Sequence, residues 1–450
     1  MTRILIVGGI AAGMKAAATA RRRKPDLDIL VLQDEAEVSY SACGLPFSLG
    51  DSAAIPRAAL IARSVERFRA DGVDLRVRHR VEEVDISARR ARIRSLDSDA
   101  ISVEPFDQIL FATGAQAIAP RIPTTEGAPP MLPLRSLADA DRLRDHFKPG
   151  GRAVIIGGGY IGLEMAEALR LQGQAVTLVE AAPRLLPAFD PAIGEAVAAH
   201  LARHGVTTHL GVSVAETVPG GVTLADGRFI EADLALAAIG VRPRVELAAA
   251  AGVAIGETGA IAVDEAMRTN LAGVYAAGDC AEARHVVSGK AVWYPLGDIA
   301  NRQGRVAGLN IAGGQSSFPG VLGTAIFKVF DLAVARTGLT PEQARQSGFD
   351  PIVVRAKAPS RARYMPNSRS IDAALVVDRR SGRLLGAEAI GPDGVDKYID
   401  VVATAIWARL AADDLADLDL AYAPPFSPVF AAAQVIGELA RKECGVLPGE

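Results

Sequence analysis

The feature that most constrains the fold is a glycine-rich segment in the middle of the chain. Residues 152–156, Arg-Ala-Val-Ile-Ile, have the apolar character of a buried parallel strand. Gly157, Gly159 and Gly162 follow at the spacing of the turn that joins such a strand to a helix. Because backbone N–H groups at the start of that helix can hold a pyrophosphate, the segment predicts a dinucleotide-binding βαβ unit.

The residue that ends the next apolar run indicates which nucleotide this unit prefers. Residues 175–179 form a second strand pattern, and Glu180 follows directly. A carboxylate at this position can bond both ribose hydroxyls and would repel a 2′-phosphate, so we expect NADH to be favoured over NADPH. Arg184, four residues further on, points weakly the other way.

The N-terminus carries a second, less regular version of the same pattern. Gly8 and Gly13 stand where the first and third glycines belong, whereas Ile10 occupies the second position. The second strand ends near Gln33, where an acid is usual. We interpret the two units as an internal duplication.

Three later segments support cofactor binding by the N-terminal unit. One strand runs into Thr113-Gly114 and another closes on Gly278-Asp279. A carboxylate beside a glycine can bond the ribityl or pyrophosphate part of a flavin, although an Asp that caps a turn is the alternative. A helix that begins near Leu296 would place its N-terminus against the flavin ring, where it would stabilise a negative charge. These segments predict FAD.

A single cysteine follows the first unit and is the candidate nucleophile. Cys43 lies in Ser-Tyr-Ser-Ala-Cys-Gly-Leu-Pro-Phe, with Pro46 suited to the first turn of a helix. The thiolate is the reactive form, and backbone N–H groups at a helix start would favour it. We therefore expect a lowered pKa for Cys43. The alternative is a buried structural cysteine.

The order of these segments predicts an α/β protein in which one dinucleotide-binding domain is inserted into another. We expect a discontinuous FAD-binding domain at residues 1–117 and 248–325 and an NAD(H)-binding domain at residues 118–247. From about residue 326 the pattern changes to strands and a helix without a nucleotide motif, which predicts a C-terminal α+β domain at residues 326–450. Near the end of this domain, Tyr422 precedes a Pro-Pro loop. The loop either presents the tyrosine hydroxyl at the surface, or Tyr422 is a core aromatic residue beside a rigid loop.

Composition excludes several other functions. The net charge is −3, so no broad basic face for nucleic acid is expected. The 3 cysteines have no metal-ligand spacing and predict neither a disulfide scaffold nor a zinc site, which fits a reducing cytoplasm. We expect no metal, no signal peptide and no membrane span. We interpret Cys280 as a buried residue that packs in the core, and Cys444 as a candidate resolving thiol in the C-terminal tail.

Several motifs, taken together, resemble one enzyme family over essentially the whole chain. The chain is similar to the FAD- and pyridine-nucleotide-dependent disulfide oxidoreductases with a single active-site cysteine, which include coenzyme A disulfide reductases, NADH-dependent persulfide reductases, NADH oxidases and NADH peroxidases. The motifs that carry the resemblance are Ser39–Pro46, Gly157–Glu164, Ala276–Asp279, Ala300–Arg305 and Tyr422–Ser427.

The resemblance implies a homodimer in which the C-terminal domain of one subunit completes the site of the other. It would bring Tyr422 near Cys43 of the partner subunit, as a proton donor to the leaving thiol. Tyr160 would gate the nicotinamide pocket, with simple packing as the alternative.

One position within the family favours thiol chemistry over oxygen chemistry. The oxidases and peroxidases carry a histidine in the first glycine turn, where this chain has Ala11. The disulfide reductases that act on coenzyme A usually have an asparagine and a lysine where this chain has Ala42 and Phe430, which leaves coenzyme A itself open. Ser39 and Arg22 do match positions that contact the substrate in those coenzyme A disulfide reductases.

The expected activity is reduction of a small disulfide or persulfide by NADH through FAD and Cys43. An NADH oxidase that makes water or hydrogen peroxide, and a redox-sensing flavoprotein with little turnover, remain alternatives. The predicted substrate contacts are Arg22, Ser39, Asn301 and Tyr364. The predicted cofactor contacts are Gly8, Ala11, Gly13, Gln33, Asp34, Thr113, Gly114, Gly157, Gly159, Tyr160, Gly162, Glu180, Gly240, Gly278, Asp279, Leu296 and Gly297.

Overall fold

The computed structural model describes residues 2–445, in which three five-stranded sheets organise the chain. The strands are β1 Arg3–Val7, β2 Asp28–Leu32, β3 Asp74–Arg76, β4 His79–Asp85, β5 Arg90–Ser95, β6 Ile101–Pro105, β7 Gln108–Phe111, β8 Ala115–Ala117, β9 Met131–Pro133, β10 Arg152–Ile156, β11 Ala175–Glu180, β12 Val206–Leu210, β13 Val214–Val218, β14 Gly221–Leu224, β15 Phe229–Glu231, β16 Leu234–Ala237, β17 Val241–Pro243, β18 Val274–Ala276, β19 Ala283–Arg284, β20 Ala291–Val292, β21 Ala325–Val329, β22 Leu332–Gly338, β23 Pro351–Pro359, β24 Ser370–Asp378 and β25 Leu384–Gly391. The helices are α1 Ala12–Arg23, α2 Leu45–Gly50, α3 Val65–Ala70, α4 Leu137–Arg144, α5 Tyr160–Leu171, α6 Pro191–Arg203, α7 Glu246–Ala250, α8 Gly297–Ile311, α9 Pro341–Gln346, α10 Val395–Trp407, α11 Ala412–Ala416 and α12 Ala432–Glu443.

The first sheet is parallel and joins the two ends of the predicted FAD-binding domain. Its strand order is β18-β7-β1-β2-β3, so a strand from beyond residue 270 pairs with one from before residue 112. The apolar runs are buried here because α1 and α8 cover one face of the sheet and the antiparallel strands β4 and β5 pack against the other. The helices α1 and α8 can pack closely because Gly304 and Gly308 have no side chains. A Cβ on Gly304 would lie only 2.3 Å from the carbonyl oxygen of Ala12, and one on Gly308 would lie 2.5 Å from that of Ala16.

The second sheet repeats this architecture within the inserted segment. Its order is β12-β11-β10-β16-β9, and all its pairings are parallel. The chain enters and leaves the segment through the antiparallel pair of β8 with β17, where Ala117 faces Val241. This pairing supports the interpretation that residues 118–247 form a domain inserted into the first one. The exact domain boundaries remain our proposal.

The third sheet is antiparallel and belongs to the C-terminal part of the chain. Its order is β21-β22-β25-β24-β23. The helix α10 packs on β22 and β25, and α12 packs on β23 and β24, so the helices gather against this sheet in an α+β arrangement. None of the helices within residues 2–445 combines the length and the apolar character that crossing a membrane would require.

Candidate active site

A cavity of about 1160 Å³ opens at the carboxyl ends of the parallel strands of the first sheet. This is where doubly wound α/β sheets bind their ligands. The predicted cofactor residues in its wall are Gly8, Ala11, Gln33, Asp34, Thr113, Gly114, Gly278, Asp279 and Gly297. The cavity also brings together Cys43 and the predicted substrate residues Arg22, Ser39 and Asn301.

The turn between β1 and α1 fits the pyrophosphate of a dinucleotide. Gly8 has a φ of +110°, and a Cβ there would lie 2.1 Å from the carbonyl oxygen of Ala112. Gly13 lies behind the cavity wall, where a Cβ would approach the Gly8 carbonyl oxygen to 1.9 Å. The N-cap residue Ala11 supplies no side-chain hydrogen bond, so the first N–H groups of α1 are left for an anion.

The glutamine at the end of the second strand supports this turn from within the protein. Gln33 follows β2 and is buried, and its Oε1 accepts a hydrogen bond of 2.8 Å from the backbone N–H of Gly9. Asp34 lies further out in the cavity wall, 3.6 Å from the Arg80 guanidinium. In this structure the buried amide therefore positions the glycine turn, whereas Asp34 remains open to a ligand.

The start of α8 lies against the candidate nucleophile, and its predicted place beside a flavin ring remains a prediction. Leu296 is the N-cap residue without a side-chain cap, and Gly297 is the first residue of the helix. A Cβ built on Gly297 would lie 3.9 Å from the Sγ of Cys43. Cys43 sits in a 3₁₀ turn that leads directly into α2, and its side chain is exposed to the cavity. The helix start and the sulfur thus share one end of the cavity.

The expected lowering of the Cys43 pKa was wrong for this structure. Although the thiol faces the cavity, the protein atoms packed around it remove part of its hydration, and this desolvation raises its pKa; the negative charge of Glu164 raises it further. The positive charge of Arg135 opposes these effects. The sequence alone could not show whether the helix start or burial has the larger effect on this pKa. Both the burial of Cys43 and the carboxylates around it depend on parts of the chain that are distant in sequence.

Glu164 is a site residue that the sequence reasoning missed, although it ends one of the quoted motifs. It lies on α5, and burial followed by the charge of Glu167 raises its pKa to about 7. Glu167 is itself ion-paired with Lys328. The Glu164 carboxyl therefore changes its charge near neutral pH within electrostatic range of the Cys43 thiol. Only the tertiary approach of α5 to α2 reveals this.

Arg135 is a second residue that sequence reasoning missed. It follows β9 at the edge of the inserted segment and lines the cavity. Its Nη2 lies 2.5 Å from the Oδ2 of Asp279, the carboxylate predicted to hold the flavin. No sequence motif marks this arginine. The ion pair shows that the end of the cavity near Asp279 has a donor that could also meet a phosphate or ribityl oxygen.

The inserted segment has its own nucleotide turn with the same backbone geometry. Gly157 has a φ of +111°, close to that of Gly8, and a Cβ on Gly162 would lie 2.1 Å from the Gly157 carbonyl oxygen. A Cβ on Gly159 would meet open space. Glu180 accepts hydrogen bonds from the backbone N–H groups of Gly158 (2.7 Å) and Ala182 (2.7 Å), so its carboxylate is held at the carboxyl end of β11.

Two predicted residues of this second site differ in their surroundings. Gly240 follows β16 with a φ of +106° and lies next to Ile118 at the crossing between the domains. Tyr160 is the first residue of α5, and its ring stacks on Phe327 (4.7 Å between centroids) and meets the edge of Phe189 (6.0 Å). Packing therefore holds Tyr160 here, and its role as a gate remains a prediction.

The two predicted tyrosines of the C-terminal domain lie outside the cavity of their own chain. Tyr422 is 53% exposed and Tyr364 is 74% exposed. Phe426 and Phe430 near Tyr422 are also exposed, at 73% and 66%. An apolar surface of this kind is typical of a protein–protein contact, which is compatible with a site completed by a second subunit.

The other cysteines lie apart from the cavity. Cys280 is fully buried, and its sulfur lies 3.4 Å from the carbonyl oxygens of Phe111 and Ala277, so the prediction of buried packing is confirmed. Cys444 is half-buried against the C-terminal core of its own chain. Its role as a resolving thiol remains a prediction.

Comparisons with known proteins agree with this geometry. The chain is 40% identical over 438 residues to an NAD(P)H sulfur oxidoreductase (CoA-dependent) of Pyrococcus furiosus, with 95% of this chain and 96% of that protein covered. It is 34% identical to an NADH oxidase of Methanocaldococcus jannaschii, with 98% and 99% covered. The solved NAD-dependent persulfide reductase from A. fulgidus superposes with a TM-score of 0.94 at 38% identity, covering 100% of this chain and 85% of that one.

Family models match both parts of the chain. The model described as pyridine nucleotide-disulphide oxidoreductase matches residues 2–304, and the one described as its dimerisation domain matches residues 324–434. These matches confirm the predicted fold class, an oxidoreductase activity and the use of FAD with a pyridine nucleotide. The chain therefore belongs to the pyridine nucleotide-disulphide oxidoreductase family.

Proposed function

We propose that this enzyme uses NADH, through FAD, to reduce a low-molecular-weight disulfide or persulfide at Cys43. The observation that carries the proposal is one thiol, exposed to the main cavity and placed beside the uncapped start of α8. Cys280 is buried and Cys444 packs elsewhere, so no second cysteine within the described residues stands next to it. The substrate thiol must then complete the redox cycle.

The chain supplies the residues that would hold both cofactors. Gly8, Gly13 and the start of α1 fit the pyrophosphate of FAD, and Asp279 with Arg135 fits its ribityl side. The turn from Gly157 and the carboxylate of Glu180 fit an adenosine ribose that lacks a 2′-phosphate. When bound, FAD accepts a hydride from the pyridine nucleotide and supplies two electrons for cleavage of a sulfur–sulfur bond.

The thiol chemistry follows from Cys43. Its thiolate attacks one sulfur of the substrate, and the other half leaves as a thiolate; a disulfide gives a mixed disulfide with Cys43 and a persulfide gives a Cys43 persulfide. Two electrons from the reduced cofactor would then cleave this new sulfur–sulfur bond, return Cys43 to the thiolate and release the bound sulfur in reduced form. Tyr422 of the partner subunit would donate a proton to that leaving group. The homodimer that this step requires is supported by the dimerisation domain and by the exposed apolar surface around Tyr422.

Three of the cations in the cavity wall would suit an anionic substrate, although carboxylates line the same cavity. Lys15, Arg22 and Arg63 all line it, and the pKa of Arg63 is lowered by burial and by the neighbouring charges of Arg67 and Arg22. Such a group of cations suits phosphates on a thiol such as coenzyme A. Ser39 and Asn301 lie in the same wall, whereas Tyr364 would reach a site only from a second subunit.

We propose a small thiol as the partner instead of a nucleic acid or a membrane surface. The net charge of −3 and the confined cavity support this choice. The three cysteines are free, which suits a reducing compartment such as the cytoplasm.

An NADH oxidase is the second candidate, favoured by the 34% identity to a protein of that name. Ala11 at the position of the oxidase histidine argues against it. Anaerobic NADH consumption distinguishes the two functions and also a redox sensor. We expect turnover with coenzyme A disulfide or persulfide in the absence of oxygen. Consumption that requires oxygen would support the oxidase, and negligible consumption with either acceptor would support a sensor.

A further inference from the structure

A second cluster of titratable side chains lies where the inserted domain meets the C-terminal sheet. His200 and His204 are four residues apart at the C-terminal end of α6, so they lie on one face of the helix. Asp331 lies in the turn between β21 and β22. Its Oδ1 is 2.9 Å from the Nε2 of His200 and 3.5 Å from the Nε2 of His204. One ligand atom from each of the three residues lies within 4.8 Å of the others.

The buried histidine points an unsatisfied nitrogen into this cluster. The His200 side chain is 8% exposed, and its Nε2 has no hydrogen bond of acceptable geometry despite its closeness to Asp331. A buried polar atom without a partner requires an explanation. An ion bound at this nitrogen would supply the missing partner.

The surroundings fix the other two groups in place. The imidazole of His204 stacks flat on the ring of Phe330, with 3.9 Å between centroids and 5° between planes. Phe330 has a φ of +54°, a conformation that side chains rarely adopt, and its backbone N–H donates to Glu167 on α5. The turn that carries Asp331 is thereby held against the inserted domain.

We propose that His200, His204 and Asp331 bind one Zn²⁺ ion, with water as a fourth ligand. Two imidazoles and one carboxylate match the ligands that zinc prefers, and they disfavour Mg²⁺ and Ca²⁺, which take oxygen ligands. Zinc–ligand bonds of about 2.0–2.2 Å require only small side-chain movements from the observed separations. The cysteine count could not predict this site because all its ligands are histidine or aspartate.

One neighbouring cation must move when the ion binds. The Nη2 of Arg203 lies 3.2 Å from the Nδ1 of His200 and donates to it, which places the imidazole proton on Nε2. Coordination through Nε2 shifts that proton to Nδ1. Arg203 is exposed, so its side chain can turn into solvent. The ion would then join α6 to the β21–β22 turn and reinforce the contact that the Glu167–Lys328 ion pair already makes.

The test is zinc binding to the FAD-loaded dimer by equilibrium dialysis against ZnCl₂, followed by metal analysis. All variants carry Cys43→Ser, because an exposed thiol is itself a zinc ligand. We expect one zinc ion per chain. His204→Ala and Asp331→Asn, both at exposed or half-exposed positions, should weaken binding at least about tenfold, since loss of even an outer contact to a metal ligand costs that much.

His209→Ala is the matched control, because His209 lies on β12 beside Arg228 and outside the cluster. It should bind zinc like the parent protein. Zinc should also raise the thermal unfolding temperature of the parent and of this control but not of Asp331→Asn. Equal zinc affinity in the parent, His204→Ala and Asp331→Asn, or no zinc bound by the parent, would overturn the proposal.

Discussion

Cys43 is placed between opposing influences, and they decide when it is reactive. The start of α8 and Arg135 favour its thiolate, whereas burial and Glu164 favour the thiol, and the pKa is raised in this structure. Glu164 has a pKa of about 7, so its negative charge appears as the pH rises through neutrality. The ionisation of Glu164 and that of Cys43 are therefore opposed.

Replacing Glu164 with Gln tests this opposition. The substitution removes the negative charge, so the pKa of Cys43 should fall and more thiolate should be present at a given pH. We expect the alkylation of Cys43 by iodoacetamide at pH 8 to become faster by about threefold or more, with its pH profile shifted to lower pH. Glu195→Gln, on the exposed face of α6, is the control. An unchanged or higher midpoint in Glu164→Gln would contradict the assignment.

The substrate preference can also be tested at one residue. Arg22 is an exposed cation at the cavity, so Arg22→Ala should raise KM for coenzyme A disulfide about three- to tenfold and leave kcat nearly unchanged. Bis(2-hydroxyethyl) disulfide, which carries no phosphate, should show no such change. Equal effects on both substrates would show that Arg22 does not recognise charge.

At the scale of elements, the contact between α1 and α8 holds both ends of the cavity together. Gly304 allows the approach because a side chain there would strike the backbone of α1. Gly304→Ala should lower the free energy of unfolding by about 1–3 kcal/mol, measured by urea titration of the FAD-loaded enzyme. Arg305→Ala, on the exposed face of the same helix, should change it by less than about 0.5 kcal/mol. Equal stability of the two variants would contradict this prediction, because it would show that α1 can move away from α8 without loss of stability.

The sequence was sufficient to predict these elements, because their signals are local. Glycine spacing identified both nucleotide turns, and the segment around Cys43 identified the thiol and the helix that follows it. The position of Leu296 was predicted to within one residue of the helix start. In contrast, the Arg135–Asp279 pair joins positions 144 residues apart, and the direction of the Cys43 pKa depends on burial, which no local pattern encodes.

In the whole molecule, each proposed site takes Cys43 from one subunit and Tyr422 from the other. Coexpression of a Cys43→Ser chain with a Tyr422→Phe chain gives heterodimers in which one site keeps both residues, if Tyr422 acts on the cysteine of the partner subunit. We expect purified heterodimers to regain about half of the wild-type activity, while each homodimer stays impaired.

The reversed combination controls for this result. A wild-type chain paired with a Cys43→Ser, Tyr422→Phe chain has no intact site if the tyrosine acts across the dimer, and one intact site if it acts within its own chain. Activity in this combination but not in the first would place Tyr422 in the same subunit as its cysteine.

The most direct test of the central claim is anaerobic stopped-flow absorbance of the flavin in Cys43→Ser. NADH should still bleach the flavin, because the nucleotide site lies in the inserted domain. Coenzyme A disulfide or persulfide should then reoxidise the flavin in the wild type and in Cys280→Ala but not in Cys43→Ser. Reoxidation of Cys43→Ser at the wild-type rate would contradict the account, since electrons would then reach the substrate without this thiol.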